Sequence, residues 1–425
     1  MNKIKLFVLL IGSLIASDKL SAQWSNVDTT YLPEIRSVLF HPISDPLAIP
    51  MFALHGGGQL KLSFDDMRGG FMDLKYQIIH CNSDWSRSEM NFMEYASGFE
   101  EERLRNFEYS INTYESYTYY ELLFPNEDLN VIISGNYLLH VYQDDDFNTP
   151  LLTRRFLVAE SDLRIAPQMR ITSNAGKYRS HQEMDVIVNF KNQRLVNPIN
   201  EVTLTILQNN RWDNALQGLK AQSARAEDLM YNYIDKLVFP AGKPFRNFDV
   251  RSLQRRTVNV KSIEQFADGI DVHIIPDKDR SSINFINYAD ARGGFVIENQ
   301  DRPVTATQSE YVLVHFTLVV PEMQSGDVYV CGRLTDWQLR APFKMAYDEK
   351  SQSYKVSVML KQGYYDYYYV HSEDGKTFDY TPLEGNWSET DNEYTLLAYW
   401  RPFGGRYDKL SAVSRIKASS ISTSR

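Results

Sequence analysis

Cysteine is almost missing from this chain: Cys81 and Cys331 are the only two in 425 residues. They lie far apart, so they form no C-x-x-C pair, and whether they bridge depends on a geometry that sequence does not give. The tendency of cysteine to be buried favours two free thiols. H-E-x-x-H and G-x-S-x-G are absent as well. That removes the helical zinc-protease motif and the nucleophile elbow of an α/β-hydrolase. Beyond the N-terminus no run of about 18 apolar residues occurs, so no transmembrane helix is expected. A transmembrane barrel has too weak a signal per strand for the same test, but uneven segment lengths and charges inside the candidate strands argue against it. There is no basic excess either. The net charge is −9, a poor match for nucleic acid or an anionic lipid surface. Long helical periodicity is also lacking.

What is present begins with a leader. Lys3 and Lys5 precede an apolar stretch from Leu6 to Ala16, and Ser21-Ala22 offer small residues before Gln23. This is the layout of a cleavable secretory signal peptide at 1–22; the alternative is a buried N-terminal element. The mature chain is then expected in an exported compartment. Hydrophobic residues at 43% suffice for two or three cores, and 27 tyrosines dominate a 13% aromatic content. Tyrosine suits pleated, half-exposed surfaces and can anchor interfaces.

Short alternating segments bounded by Gly, Pro, Asn and Asp fill the chain. Gln59 to Phe64, Asp73 to Cys81, Tyr117 to Phe124, Tyr137 to Tyr142 and Leu152 to Val158 read as strands of a first unit. One helical turn is expected around Met90 to Ala96. Met184 to Phe190, Glu201 to Gln208, Thr257 to Val260 and Val272 to Ile275 belong to a second unit, with a short helix within Asp213 to Tyr231. Val312 to Val320, Asp327 to Cys331, Tyr354 to Leu360 and Tyr364 to Val370 form a third. The fold class is therefore all-β: three immunoglobulin-like or early-set β-sandwich domains in tandem, with little helix. The expected boundaries are 23–160, 161–305 and 306–410, followed by a Ser-rich, basic tail at 411–425.

Candidate chemistry is thin. His55-Gly56-Gly57-Gly58 has the look of an esterase oxyanion loop but lacks its nucleophile, so a plain glycine loop is favoured. His80 and Cys81 are adjacent on a strand and would point to opposite faces, which disfavours a metal site there. Asp65-Asp66 and Asp144-Asp145-Asp146 lack the ligand order of a calcium loop and read as solvated turns, with a loose surface calcium as the alternative. No carboxylate pair stands out for glycoside hydrolysis. No catalytic residue, cofactor or metal ligand is nominated, and the chain is read as a non-enzyme. Gln208 to Asp213 and Phe245 to Asp249 combine aromatics, amides and an Arg-Asp possibility. They read either as loops held by side-chain to backbone bonds or as a partner surface, since Trp, Tyr and Arg anchor interfaces.

An ordered set of segments carries a resemblance: IIHCNSDW (Ile78 to Trp85), SINT (Ser110 to Thr113), YTYYELLFPN (Tyr117 to Asn126), SGNYLLHVY (Ser134 to Tyr142), RRFLV (Arg154 to Val158), HQEMDV (His181 to Val186), QNNRWDNA (Gln208 to Ala215) and FRNFD (Phe245 to Asp249). Together they resemble the plug protein family of the type IX secretion system of Bacteroidetes, across nearly the whole mature chain. The family more usually has SFNT and YTHY where this chain has SINT and YTYY. The resemblance implies a periplasmic protein, monomeric when free, that docks on the outer-membrane translocon barrel and seals its pore between cargoes. The third unit, with DVYVCGRLTDWQ (Asp327 to Gln338) and YKVSVMLKQGYYDYYYV (Tyr354 to Val370), is similar to glycogen-binding early-set domains. Trp337 matches their first sugar-stacking position, but the lysine and second tryptophan have no counterpart, which favours shared fold over shared ligand. The candidate partner or sugar contacts are Trp212, Arg246 and Trp337. The alternative to a plug is a carbohydrate-binding periplasmic or surface protein.

Overall fold

The computed structural model describes residues 25–144, 146–191, 193–283 and 286–420. The expected leader at 1–22 lies outside them. The regular structure of the rest is nearly all strand, with helices of four residues or fewer. The helical turn expected near Met90 is Phe92–Tyr95. Among the described residues no helix is long and apolar enough to cross a membrane.

The first sandwich stacks two sheets. One runs in the order Thr29–Thr30, Asp146–Ala159, Gly135–Gln143, Leu74–Cys81, Glu102–Arg103, with Met51–Ala53 parallel to Asp146–Ala159. The other runs Ile35–Pro42, Leu60–Asp66, Thr118–Phe124, Asn106–Tyr109. Thr118–Phe124 shows why the pattern works. Its residues alternate between buried and partly exposed positions along the whole strand, as a pleat with one wet face requires. Phe64, Tyr76, Ile78, Tyr120, Phe124, Tyr137 and Phe156 fill the space between the sheets.

The second sandwich pairs Arg164–Arg170, His181–Asn189, Asp228–Tyr231 and Ser223–Arg225 against a sheet of Leu216–Leu219, Val202–Gln208, Glu393–Trp400 and Lys409–Lys417. The third packs the sheet of Arg246–Asp249, Gly363–Ser372 and Phe295–Ile297 on a sheet running Val260–Gln265, Ile270–Ile274, Tyr311–Val319, Ser353–Lys361, Ala346–Asp348.

Three sequence expectations differ from this arrangement. Residues 246–300, assigned by sequence to the second unit, pair with strands of the third, while 393–417 complete the second. The third sandwich thus interrupts the second. Periodicity identifies strands but carries no information about partners hundreds of residues away. Lys409–Lys417, expected to open a tail, is a strand paired along its length with Glu393–Trp400; Arg415 and Lys417 are exposed while Leu410, Ser411 and Ala412 are buried. Asp213 to Tyr231 holds three short strands and no helix.

A further core joins the first two sandwiches. Ile49, Cys81, Trp85, Leu138 and Leu157 from the first pack against Leu207, Leu397, Tyr399 and Leu410 from the second. Both cysteines are buried and unpaired. Many tyrosines are buried rather than half-exposed, and several of their hydroxyls find a partner: Tyr367 and Tyr369 donate to Asp277 at 2.6 and 2.9 Å, and Tyr365 to the Lys361 carbonyl at 2.5 Å. A buried phenol without such a bond would cost the desolvation of its hydroxyl.

Candidate functional site

Where the sandwiches converge, a cleft of about 510 Å³ opens, lined among others by Trp212, Trp337, Arg154, Arg155, Arg333 and Asp336. Trp212 arrives on the loop after Val202–Gln208. Asn209 and Asn210 take left-handed backbone, φ 53° and 59°, a conformation asparagine tolerates better than most residues. Their side chains then fix the loop: Asn209 accepts from the Glu393 amide at 3.0 Å and Asn210 accepts from the Thr395 hydroxyl at 2.9 Å. Arg211 closes the loop with a two-pronged bond to Asp213, at 3.1 and 2.6 Å.

Trp337 sits at the end of a tight turn. Arg333–Thr335 forms a single 3₁₀ turn, and Asp336 and Trp337 follow with φ 53° and 57°. The Trp337 amide donates back to the Gly332 carbonyl at 3.0 Å. Gly293 (φ 79°) backs onto the indole so closely that a Cβ there would lie 2.6 Å from Cζ2 and Cη2.

Guanidinium groups and indoles alternate across this region. The Arg211 guanidinium lies 3.9 Å from the centre of the Trp337 ring. Arg155 stands 4.3 Å from Trp85 and 5.2 Å from Trp212, and those two indoles meet edge-on at 4.9 Å. Cation–π contacts of this kind gain strength when water is excluded. One face of Trp337 is therefore covered by Arg211 and closed to sugar stacking.

The cleft is rich in cationic groups. Arg154 reaches Asp336 at 3.4 Å, and Arg340 pairs with the same carboxylate. Arg155 and Arg333 have no carboxylate at ion-pair distance among the described residues. Arg333 donates to the Phe40 and Pro46 carbonyls at 3.1 and 3.3 Å, and Arg155 to the Asn26 carbonyl at 2.8 Å. Burial pushes the pKa of both guanidinium groups down. It pushes the neighbouring Asp28 carboxyl up, against the pull of Arg154 and Arg155. For Arg211 burial acts the same way, but the Asp213 carboxylate outweighs it and raises the pKa. Flat aromatic planes and fixed donors thus lie together in this cleft. A second cavity of about 590 Å³ shares Arg154, Arg333 and Asp336 and runs on past Tyr31, Leu32 and Pro342.

Of the three contacts read from sequence, Trp212 and Trp337 come together here and Arg246 does not. Arg246 is buried between Glu384, at 3.0 and 3.2 Å, and Asp277, at 2.7 Å. Arg280 pairs with the same Glu384. Burial alone would raise the Glu384 pKa, but the two arginines hold it below its ordinary value. With its charge spent inside the third sandwich, Arg246 is a structural residue and not a surface contact.

The other sequence leads resolve as structure. The glycines after His55 form the loop between Met51–Ala53 and Leu60–Asp66. His80 bonds the Ser88 hydroxyl and the Ser134 carbonyl in the first core, its pKa lowered to about 4 by burial. Cys81 faces away into the joint between sandwiches, with its thiol pushed up to about 12. Asp65 and Asp66 are not solvated: both are buried, Asp65 against Lys361 at 2.7 Å and Asp66 against Arg68 at 2.7 Å. Asp144 pairs with Lys75 and Arg103 at 2.6 and 2.8 Å, and Asp145 lies outside the described residues. Sequence reading missed Arg154, Arg155 and Arg333 in the cleft. It also missed an Asp271, His273 and His315 cluster on the third sandwich, because its members come from strands distant in sequence.

Comparison with known proteins completes the description. Residues 35–160 match the family model of the type 9 secretion system plug protein 1st domain. The crystal structure of a hypothetical protein from Parabacteroides merdae superposes with a TM-score of 0.88 at 30% identity, covering 93% of this chain and 100% of that one. A biofilm-associated protein BSP domain (6% identity, TM-score 0.17, 93% of this chain and 60% of the other) is too dissimilar to bear on fold or function. The same holds for dimeric latent PorU from Porphyromonas gingivalis (11%, 0.15, 91% and 34%). No curated protein matches the chain.

Proposed function

The chain belongs to the plug protein family of the type IX secretion system, and from that premise we propose that it is a non-catalytic periplasmic plug that docks on the outer-membrane translocon barrel and seals its pore when no cargo passes. A pore wide enough for folded cargo would breach the outer membrane if left open. Closing it takes bulk and stiffness, not bond-making.

The observation that supports this reading most is the interlocking of the three sandwiches. A buried core joins the first to the second, the third interrupts the second, and the buried Asp65–Lys361 pair ties the first to the third. Such a body has few soft linkers at which to bend. At about 400 residues it has a radius of gyration of about 21 Å by the usual scaling for compact domains, a fair size for a stopper. The cleft with Trp212 and Trp337 supplies the residue types that anchor partners and is the proposed contact region on the barrel.

The test is genetic and biochemical together. Deleting the gene should make cells permeable to large antibiotics only while the barrel is present. Affinity purification from gently solubilised outer membranes should bring a large barrel with the tagged protein. Unchanged permeability, or a purification without any barrel, would overturn the proposal.

A further inference from the structure

On the solvent-facing side of the third sandwich, two histidines stand side by side. His273 lies on Ile270–Ile274 and His315 on Tyr311–Val319, and the parallel register of these strands puts the two directly opposite each other. Their rings stack with centroids 4.3 Å apart and planes 11° from parallel, close to the usual spacing of neighbouring strands. Asp271 precedes His273 by two positions and so shares its face. Its Oδ2 lies 2.8 Å from His315 Nε2. Glu264, opposite Asp271 on Val260–Gln265, places Oε1 3.7 Å from His273 Nε2. On the far side, Ser357 meets His315 Nδ1 at 2.7 Å.

We infer that Asp271, His273 and His315 bind a divalent transition-metal ion of the zinc class, with Glu264 as the fourth ligand. One donor atom from each of the first three already lies within 4.8 Å of the other two. Ligands of a tetrahedral zinc site, with bonds of 2.0–2.2 Å, stand about 3.3 Å from one another, so side-chain rotations of a few tenths of an ångström to about an ångström close the set. The strands need not move. Two imidazoles and carboxylates suit zinc, cobalt, nickel or copper, whereas calcium and magnesium prefer oxygen alone.

The surroundings already orient one ligand. In the tautomer that donates Nδ1–H to the Ser357 hydroxyl, His315 Nε2 presents its lone pair toward Asp271 and is ready for a metal; in the other, Nε2–H donates to that carboxylate and the Ser357 hydroxyl donates to Nδ1. Metal binding selects the first, and the Ser357 hydroxyl can serve either. An outer hydrogen bond holding a ligating histidine in its tautomer is a regular feature of metal sites. The ligands come from three neighbouring strands, so a bound ion would tie the Val260–Gln265 edge to the sheet interior and add stability in proportion to occupancy.

The test uses the full mature chain without a histidine tag, stripped with chelator. Zinc chloride titrated by calorimetry should bind at one ion per chain. Cobalt(II) should give the visible absorption of a low-coordinate nitrogen and oxygen site. His273→Gln and His315→Gln should each weaken zinc binding by roughly tenfold or more, and Ser357→Ala less than either. In chelator, all variants should melt as the parent does, which separates ligand loss from misfolding. Absence of binding at about 100 µM zinc would overturn the inference. So would wild-type binding retained in both histidine variants, since the ion would then sit elsewhere. A failure here leaves the plug reading untouched, because neither the barrel nor the antibiotic assay reads metal.

Discussion

Lys361 Nζ meets Asp65 Oδ2 at 2.7 Å, although the two residues lie 296 positions apart and each side chain is at most 2% exposed. The same carboxylate accepts the Tyr311 hydroxyl at 2.6 Å, and Lys361 also donates to the Ala306 carbonyl at 3.0 Å. The ammonium sits 4.0 Å from the centre of the Tyr117 ring. Burial pushes each group toward its neutral form, Asp65 up and Lys361 down, and their mutual attraction opposes both shifts. Removing one partner strands the other. Lys361→Met should cost about 3–5 kcal/mol in equilibrium denaturation at neutral pH. The double variant Asp65→Asn with Lys361→Met should recover much of that, because no charge is then left in the joint. A single-variant cost below about 1 kcal/mol would mean that water reaches the pair and that the first and third sandwiches are not locked here.

Arg246 leads to the opposite expectation from the one its sequence context suggests. Its guanidinium bridges Glu384 and Asp277 inside the third sandwich. Arg246→Ala should therefore lower stability by about 3–5 kcal/mol while leaving partner affinity per folded molecule unchanged. Trp212→Ala differs: it removes packing at the joint between the first two sandwiches and so should lower the melting temperature too, but it should also reduce recovery of the barrel per folded molecule by roughly tenfold or more, the scale of a centrally placed aromatic anchor. Comparing the two variants in one pull-down, normalised to folded protein, checks both halves.

The strand content was largely legible because it rests on local alternation. Thr118–Phe124 and Gly363–Ser372 stand within a residue or two of where their patterns put them. What could not be read was assembly. Nothing local in Glu393–Trp400 says that it pairs with Val202–Gln208, and nothing around Asp65 announces a lysine near the other end of the chain. For the same reason the acids at 65–66 looked like a wet turn: two adjacent carboxylates are usually solvated, and only the distant partners explain their burial. The cleft was half legible. Trp212 and Trp337 stood out as aromatics in polar loops. Arg154 and Arg155 sit inside a convincing strand, and nothing local there points to a cleft built with Trp212 and Trp337 from distant loops.

Gly293 tests the packing behind Trp337. Its φ of 79° is one that side chains rarely adopt, and an added Cβ would run into the indole. Gly293→Ala should cost more than the ~1 kcal/mol typical of a strained backbone residue. It should also shift Trp337 emission as the ring is displaced from beneath Arg211. The Arg211→Ala variant gives the reference for an uncovered indole, and an unchanged spectrum in both would mean that this contact is loose.

Asp366 gives the chain a distinctive pH response. Buried in Gly363–Ser372, its Oδ2 accepts from the amides of Ala291 at 2.5 Å and Gly293 at 3.0 Å. Burial first, and the Asp290 carboxylate second, push its pKa up to about 8, and the two amide donors only partly offset this. In the unfolded chain the group returns to its ordinary value of 3.8. Between those two values the folded state holds a proton that the unfolded state has released, so stability must fall as pH rises. The contribution is fully present below about pH 4 and lost by about pH 8. Asp366→Asn keeps an oxygen for the two amides and cannot ionise. Its denaturation midpoint should therefore decline less than the parent's between pH 5 and 8, and the two curves should converge toward the acid end. Because Ala291 to Gly293 also line the cleft and the folded-state carboxyl keeps its proton until the pH nears 8, barrel recovery by the parent should hold between pH 5 and 7 and weaken only from about pH 8 upward, while recovery by the variant should hold throughout. Parallel curves for the two proteins would show that Asp366 is ionised throughout and that another group sets the response.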